Sequence, residues 1–181
     1  MTCPVCGTVA VPGARYCHHC GTRLPDVEPT GFATERRVVT VLFGDLTDFT
    51  AWSEDLDPER VGRLTDRVLA ACAQAVTAFG GHVDKLTGDG IMAVFGAPVA
   101  HEDDPERAVR SALAMQRAVK RVIEDELGGG RRLGLRVGVN TGEVVAGVQA
   151  ALSYTVIGDT VNTASRLCGI AKSGEVLASE A

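Results

Sequence analysis

A short turn between two apolar runs sets the strongest constraint on how this chain can fold. In DKLTGDGIMAVFG, residues 84 to 96, a strand-like run ends at Leu86, meets Gly88, Asp89 and Gly90, and then resumes as an apolar segment. An Asp-Gly turn between two such runs predicts a β-hairpin. The turn alone explains Asp89, so other parts of the chain must decide whether its carboxylate also has a chemical role.

Strand-like and helical patterns alternate around this hairpin. The continuous apolar run from Val38 to Phe43 predicts a central strand buried on both faces. Asp57-Pro58-Glu59 predicts the start of a long amphipathic helix. A second helix is predicted after Asp104-Pro105-Glu106, ending at glycines 128 to 130.

The last third of the chain continues the pattern. RLGLRVGVNTGEVVAGV predicts two strands around Thr141-Gly142, GDTVNTASRLCGIA a short helix, and GEVLAS a further strand. The order strand, helix, strand, strand, helix, strand is typical of an α+β fold of the ferredoxin-like or palm type, βαββαβ. Fold alone does not give function.

Composition limits the class of protein. A chain of 181 residues with 45% hydrophobic content can bury one ordinary core plus a small appendage. The net charge is −5, and the Lys and Arg residues are spread thinly among acidic ones. Because no clustered basic face is visible, we do not expect nucleic acid as the main partner. We expect a cytoplasmic protein, because no stretch approaches the ~18 apolar residues of a membrane span.

Four of the six cysteines form two CxxC pairs near the N-terminus, at positions Cys3, Cys6, Cys17 and Cys20. Doubled CxxC spacing predicts a tetrahedral zinc site, whereas the alternative, a disulfide-stapled module, needs an oxidising compartment that nothing here indicates. Four thiolates leave no open position for a substrate, so we expect one structural Zn²⁺. The segment resembles a zinc ribbon at residues 1–24, followed by a linker at 25–35 and a second module at 36–181.

A second acidic residue, Asp45, favours a chemical role for Asp89. Asp45 ends the first strand, in FGDLTDFT, and a βαββ unit can bring it to the same edge of the sheet as the hairpin tip. Paired carboxylates at strand ends are hard oxygen ligands for Mg²⁺ or Mn²⁺, and such ions support phosphoryl transfer.

Four motifs in the second module resemble the catalytic domain of the class III nucleotide cyclases, the adenylyl and guanylyl cyclases. They are FGDLTDFT, KLTGDGIMAVFG, RVGVNTGEVV and YTVIGDTVNTASRL. The resemblance implies conversion of a nucleoside triphosphate into its cyclic 3′,5′-monophosphate and pyrophosphate. It also implies two Mg²⁺ or Mn²⁺ per active site, at the interface of a head-to-tail homodimer, and a role in signal transduction.

Site roles follow from the resemblance residue by residue. Asp45 and Asp89 match the metal-binding aspartates, and the backbone carbonyl of Leu46 would add a ligand. Asn162 and Arg166 match the pair that orients the ribose and stabilises the transition state; their i,i+4 spacing puts them on one helix face.

Two further positions concern the purine. Lys85 matches the purine-reading lysine, and since Lys only donates and adenine N1 accepts, Lys85 favours ATP. Thr155 stands where many adenylyl cyclases have an aspartate. In this the chain resembles the class IIIb subgroup, which has threonine at that position and includes bicarbonate-responsive enzymes. A hydroxyl can accept from the adenine amino group or donate to guanine O6, so we expect weaker rejection of GTP than an aspartate would give.

The alternative to an enzyme is a catalytically silent cyclase-like module that regulates something by binding a nucleotide or a protein. The set of matched residues is complete, which favours the enzyme. The family domain normally continues beyond the region equivalent to GEVLAS, so we expect this chain to belong to a longer protein with further domains.

Overall fold

The computed structural model describes residues 2–9, 16–24, 35–54, 56–128, 133–149 and 153–180. The chain divides into two compact units, Met1–Ala33 and Thr34–Ala181. Residues 25–34 of the expected linker lie outside the described residues, and Glu35 already begins a strand. Within the described parts, no helix is both long and apolar enough to cross a membrane.

The larger unit is built on one six-stranded sheet. In chain order its strands are β1 (Glu35–Thr47), β2 (His82–Thr87), β3 (Gly90–Phe95), β4 (Gly134–Gln149), β5 (Ser153–Ile157) and β6 (Val176–Ala178). They are hydrogen-bonded in the order β2-β3-β1-β4-β5, and β6 runs parallel to part of β4. The antiparallel pairing of β2 with β3 confirms the predicted hairpin.

Four helices accompany the sheet: α1 (Phe49–Ser53), α2 (Pro58–Ala78), α3 (Asp104–Leu127) and α4 (Asp159–Ile170). The predicted start of α2 is confirmed, because the Asp57 carboxylate accepts a hydrogen bond from the Glu59 amide at 3.0 Å. At the end of α3, Gly128 adopts a positive φ of 67°, while glycines 129 and 130 lie outside the described residues. The short helix α1 was not expected.

Apolar residues are buried on both faces of the sheet. One cluster joins the sheet to α2 and α3 and includes Leu42, Leu46, Val68 and Met115. A second cluster on the other face includes Val41 of β1. Since alternate residues of β1 enter different clusters, the prediction of a strand buried on both faces is confirmed.

One prediction was wrong. Thr141 and Gly142 do not form a turn between two strands; they lie inside the 16-residue strand β4, where they pair with Thr40 and Val39 of β1. Gly142 has a packing role, because a Cβ there would lie 2.6 Å from Oγ1 of Thr160. The glycine reflects the close approach of α4 rather than a change of chain direction.

The elements β1-α2-β2-β3-α3-β4 have the order predicted from the sequence. Their strand order β2-β3-β1-β4 is that of the ferredoxin-like arrangement. The α+β, palm-type fold is therefore confirmed. It places the C-terminal end of β1, the N-terminal end of β4 and the β2-β3 turn at the same end of the sheet.

Candidate functional site

Asp45 lies near the end of β1, between Gly90 of β3 and Arg136 of β4 in the strand register. A Cβ at Gly90 would lie 3.3 Å from Oδ1 of Asp45 and 2.8 Å from Oγ1 of Thr87. Glycine at this position therefore leaves the space that the carboxylate occupies.

Asp89 immediately precedes Gly90 and is half-buried. Burial raises the pKa of its carboxyl group; the negative charge of Asp45 raises it further, and Arg136 lowers it. The two predicted metal-binding aspartates thus lie close enough to interact electrostatically. Leu46 follows Asp45 with its side chain in the core, so only its backbone is free to serve as a ligand.

Arg136 is a site residue that the motif reading missed. Its Nε and Nη2 donate to Oδ2 of Asp45 at 3.0 and 2.5 Å, and its Nη1 donates to the carbonyl of Gly169 at 3.1 Å. The bond to Asp45 raises the pKa of the guanidinium. One side chain therefore balances the charge of Asp45 and ties β1 and β4 to the end of α4.

Asn162 and Arg166 both lie on the exposed side of α4. The buried positions Thr160, Ala164 and Cys168 recur four residues apart, and Asn162 and Arg166 fall between them on the opposite face. Within the described residues, neither side chain makes a hydrogen bond or ion pair. Both are thus available to a ligand or to a second chain.

The two predicted purine contacts lie on different edge strands. Lys85 is on β2 and Thr155 on β5, with three strands between them in the sheet order. Thr155 is only 6% exposed, and its hydroxyl has no hydrogen-bond partner in the part of the chain that the structure describes. A buried hydroxyl without a partner is costly, and a ligand that bonded to it would remove that cost.

The cysteine cluster of the N-terminal unit is suited to a metal. The four sulfur atoms of Cys3, Cys6, Cys17 and Cys20 lie within 4.8 Å of one another. Each CxxC turn closes through a hydrogen bond from a glycine amide to a cysteine carbonyl, and Gly7 and Gly21 have φ of 70° and 69°.

Local hydrogen bonds favour the thiolate form of two cysteines of this cluster. Contact with the Thr8 hydroxyl and amide lowers the pKa of Cys6 to about 6, and Thr22 lowers that of Cys20 in the same way. Four cysteine sulfurs this close together form a donor set that fits Zn²⁺, which would bind them as thiolates.

Comparison with known proteins places this geometry in a family. Residues 33–181 match the model of the adenylate and guanylate cyclase catalytic domain. Adenylate cyclase 1 of Rhizobium meliloti is 37% identical over 146 residues, which cover 78% of this chain and 22% of that protein. The chain thus spans about a fifth of the length of this relative.

Solved structures of both nucleotide specificities are similar. The adenylyl cyclase CyaB from P. aeruginosa has a TM-score of 0.78 at 34% identity, covering 82% of this chain and 80% of that chain. The guanylyl cyclase Cya2 has a TM-score of 0.77 at 36% identity, covering 82% and 77%. Overall similarity therefore does not separate ATP from GTP as the substrate.

Proposed function

Because the chain belongs to the family of adenylate and guanylate cyclase catalytic domains, we propose that it converts ATP into 3′,5′-cyclic AMP and pyrophosphate. The observation that carries the proposal is the pair Asp45 and Asp89, which meet at one end of the sheet beside Arg136. Two neighbouring carboxylates repel each other in the free protein, and a bound cation would remove that repulsion. Such a pair is therefore typical of a cation-binding site.

The donor set at this position fits Mg²⁺ or Mn²⁺. Asp45 and Asp89 would hold two ions per active site, with the backbone carbonyl of Leu46 as a further ligand. When bound, the ions would neutralise charge on the triphosphate and lower the pKa of the ribose 3′-hydroxyl. Arg136 now balances Asp45, so we expect its guanidinium to change partners when a cation arrives.

The helix α4 would supply the groups that act on the reacting part of the substrate. Asn162 would orient the ribose, and Arg166 would donate to the oxygens of the α-phosphate as charge develops there. The step is in-line attack of O3′ on the α-phosphorus, with pyrophosphate as the leaving group. We assign no side chain as a general base.

Lys85 supports ATP as the substrate. Its ammonium can donate to adenine N1, where guanine carries an N–H instead. Thr155 would contact the exocyclic group, and its buried hydroxyl, which has no partner among the described residues, would gain a hydrogen bond by doing so. The same hydroxyl can donate to guanine O6, so we propose only moderate discrimination against GTP.

The assembly that we propose is a head-to-tail homodimer with the active sites at its interface, in a longer signalling protein. Asn162 and Arg166, exposed and without partners in the described residues, would face the second protomer. The N-terminal unit would bind one structural Zn²⁺ and act as a docking or regulatory module.

The direct test is cyclic AMP formation from ATP with Mn²⁺, comparing the wild-type chain with Asp89→Asn. We expect activity in the wild type and a loss of at least about 100-fold in the variant. Asp66→Asn, at an exposed position on α2, is the matched control and should be fully active. If a longer version of the protein that dimerises turned over neither ATP nor GTP, the alternative of a silent regulatory module would be correct.

A further inference from the structure

A β-bulge interrupts strand β2 next to Lys85. Val83 pairs with Ala93 and Lys85 pairs with Met92, so β2 advances by two residues where β3 advances by one. Asp84 is the extra residue. In a regular strand, neighbouring side chains point to opposite faces, and a bulge breaks this alternation.

The bulge allows two consecutive side chains to meet. Nζ of Lys85 lies 3.2 Å from Oδ2 of Asp84, a contact that regular strand geometry would prevent. The Asp84 side chain is 2% exposed and that of Lys85 is 50% exposed. The pair therefore consists of a buried carboxylate and an ammonium group that still reaches solvent.

The carboxylate has little else to bind. Oδ2 of Asp84 is buried and, apart from its ion pair with Lys85, has no hydrogen-bond partner among the described residues. Within the described residues, Lys85 is its one ion-pair partner. Burial of a carboxylate with such weak compensation is unfavourable, so stability alone does not account for an aspartate at this position.

We propose that Asp84 is a positioning residue for Lys85: the bulged carboxylate holds the ammonium where it meets the purine and so sharpens the choice of ATP over GTP. The inference rests on the proposed function, in which Lys85 contacts the base. A free lysine side chain samples many rotamers, and ordering it before the substrate arrives reduces the entropic cost of binding. Asparagine at position 84 would keep the shape and remove the charge.

The test compares Asp84→Asn, Lys85→Ala and the double variant in the full chain, with Asp66→Asn as the matched exposed control. For Asp84→Asn we expect KM for ATP to rise about three- to tenfold with little change in kcat, and the ratio of kcat/KM for ATP to that for GTP to fall. In the Lys85→Ala background, Asp84→Asn should have no further effect, because the two residues act as a unit.

Binding of α,β-methylene ATP and α,β-methylene GTP, followed by calorimetry, gives the same comparison without turnover. If Lys85→Ala weakens ATP binding but Asp84→Asn does not, the positioning role is wrong and the proposed function stands. If Asp84→Asn lowers only the melting temperature, its role is structural and the inference is also wrong. If Lys85→Ala leaves ATP binding unchanged, the proposed purine contact fails, and the inference fails with it.

Discussion

At the scale of single residues, Asp89 illustrates the cost of a binding site in the free protein. Burial and the neighbouring Asp45 raise its pKa, so the folded state disfavours the ionised form. The carboxylate therefore reduces stability above its raised pKa, and the cost disappears as pH falls through that value. We expect Asp89→Asn without metal to melt about 1–2 °C higher than wild type near neutral pH, by calorimetry.

Metal should reverse that order. A ligand that binds only the folded state raises its stability in proportion to the logarithm of its concentration. Added Mn²⁺ should thus raise the melting temperature of the wild type and of Asp66→Asn, and leave that of Asp89→Asn almost unchanged. If Asp89→Asn melted at a lower temperature than the wild type without metal, the main role of Asp89 would be to stabilise the β2-β3 turn.

Thr155 allows a second test at the same scale. Its hydroxyl is buried and has no partner among the residues that the structure describes, so Thr155→Val removes an unsatisfied polar group at almost constant volume. We expect the free energy of unfolding in urea to stay equal or rise by up to about 1 kcal/mol. The kcat/KM for ATP should fall about tenfold, because valine cannot contact the purine.

The complementary variant is Thr155→Asp. An ionised aspartate accepts from the adenine amino group but cannot donate to guanine O6. GTP turnover should therefore be higher in the wild type than in Thr155→Asp, once both are shown by circular dichroism to be folded. Equal or lower GTP turnover in the wild type would mean that the hydroxyl does not read the base.

At the scale of secondary-structure elements, the position of α4 depends on one glycine in β4. A Cβ at Gly138 would lie 2.2 Å from the backbone nitrogen of Cys168 and 2.3 Å from the carbonyl oxygen of Ala164. Backbone atoms cannot rotate away, so Gly138→Ala must push α4 off the sheet. We expect a loss of about 1–3 kcal/mol in the free energy of unfolding, together with most of the activity.

A matched glycine lies on the helix itself. At Gly169 a Cβ would meet no atom of the described residues within 4 Å, and alanine is favoured over glycine in helices by up to about 1 kcal/mol. Gly169→Ala should therefore be equal to or more stable than wild type in urea. If Gly138→Ala behaved in the same way, α4 would not be held by this contact.

The elements also show what a sequence pattern can and cannot predict. The hairpin, α2 and α4 follow from local signals: an Asp-Gly turn, an Asp-Pro start and an apolar face. Thr141-Gly142 carries a similar local signal, yet β4 passes straight through it because β1 supplies partners for β4 from Gly134 to Ala146. The glycine is required by α4, which is distant in sequence, so local reasoning could not find its purpose.

Arg136 was missed for a related reason. It lies between the buried residues Leu135 and Val137, and an arginine in such a strand faces the opposite side. That alternation was a usable signal that Arg136 leaves the core. No signal in the sequence identified the partner of Arg136, because only the sheet register places this residue opposite Asp45.

At the scale of the whole molecule, the two units allow a test of the zinc site. The buried core of the N-terminal unit in the described residues is limited to Cys3, Cys17 and Leu24, so its folding should depend on the metal. We expect one zinc per chain, lost in Cys20→Ser and kept in His19→Ala, by elemental analysis.

The proposed dimer makes a sharper prediction, because it divides each active site between two chains. Asp89 lies at the end of the sheet, whereas Arg166 projects from the exposed face of α4. If one protomer supplies the metal ligands and the other supplies α4, a chain with Asp89→Asn and a chain with Arg166→Ala are each inactive alone. A heterodimer of the two would still contain one intact site.

Mixing the two inactive variants in equal amounts, with subunit exchange, should therefore restore about a quarter of the wild-type activity, since half of the dimers are mixed and each has one working site of two. A sample that contains only Asp89→Asn, at the same total protein concentration, gives the background activity. Recovery to this level would exclude a site formed within one chain, because every chain in the mixture has a defect. A mixture that remained inactive although light scattering showed dimers would mean that Asp89 and Arg166 act in the same chain, and that the interface is not the active site.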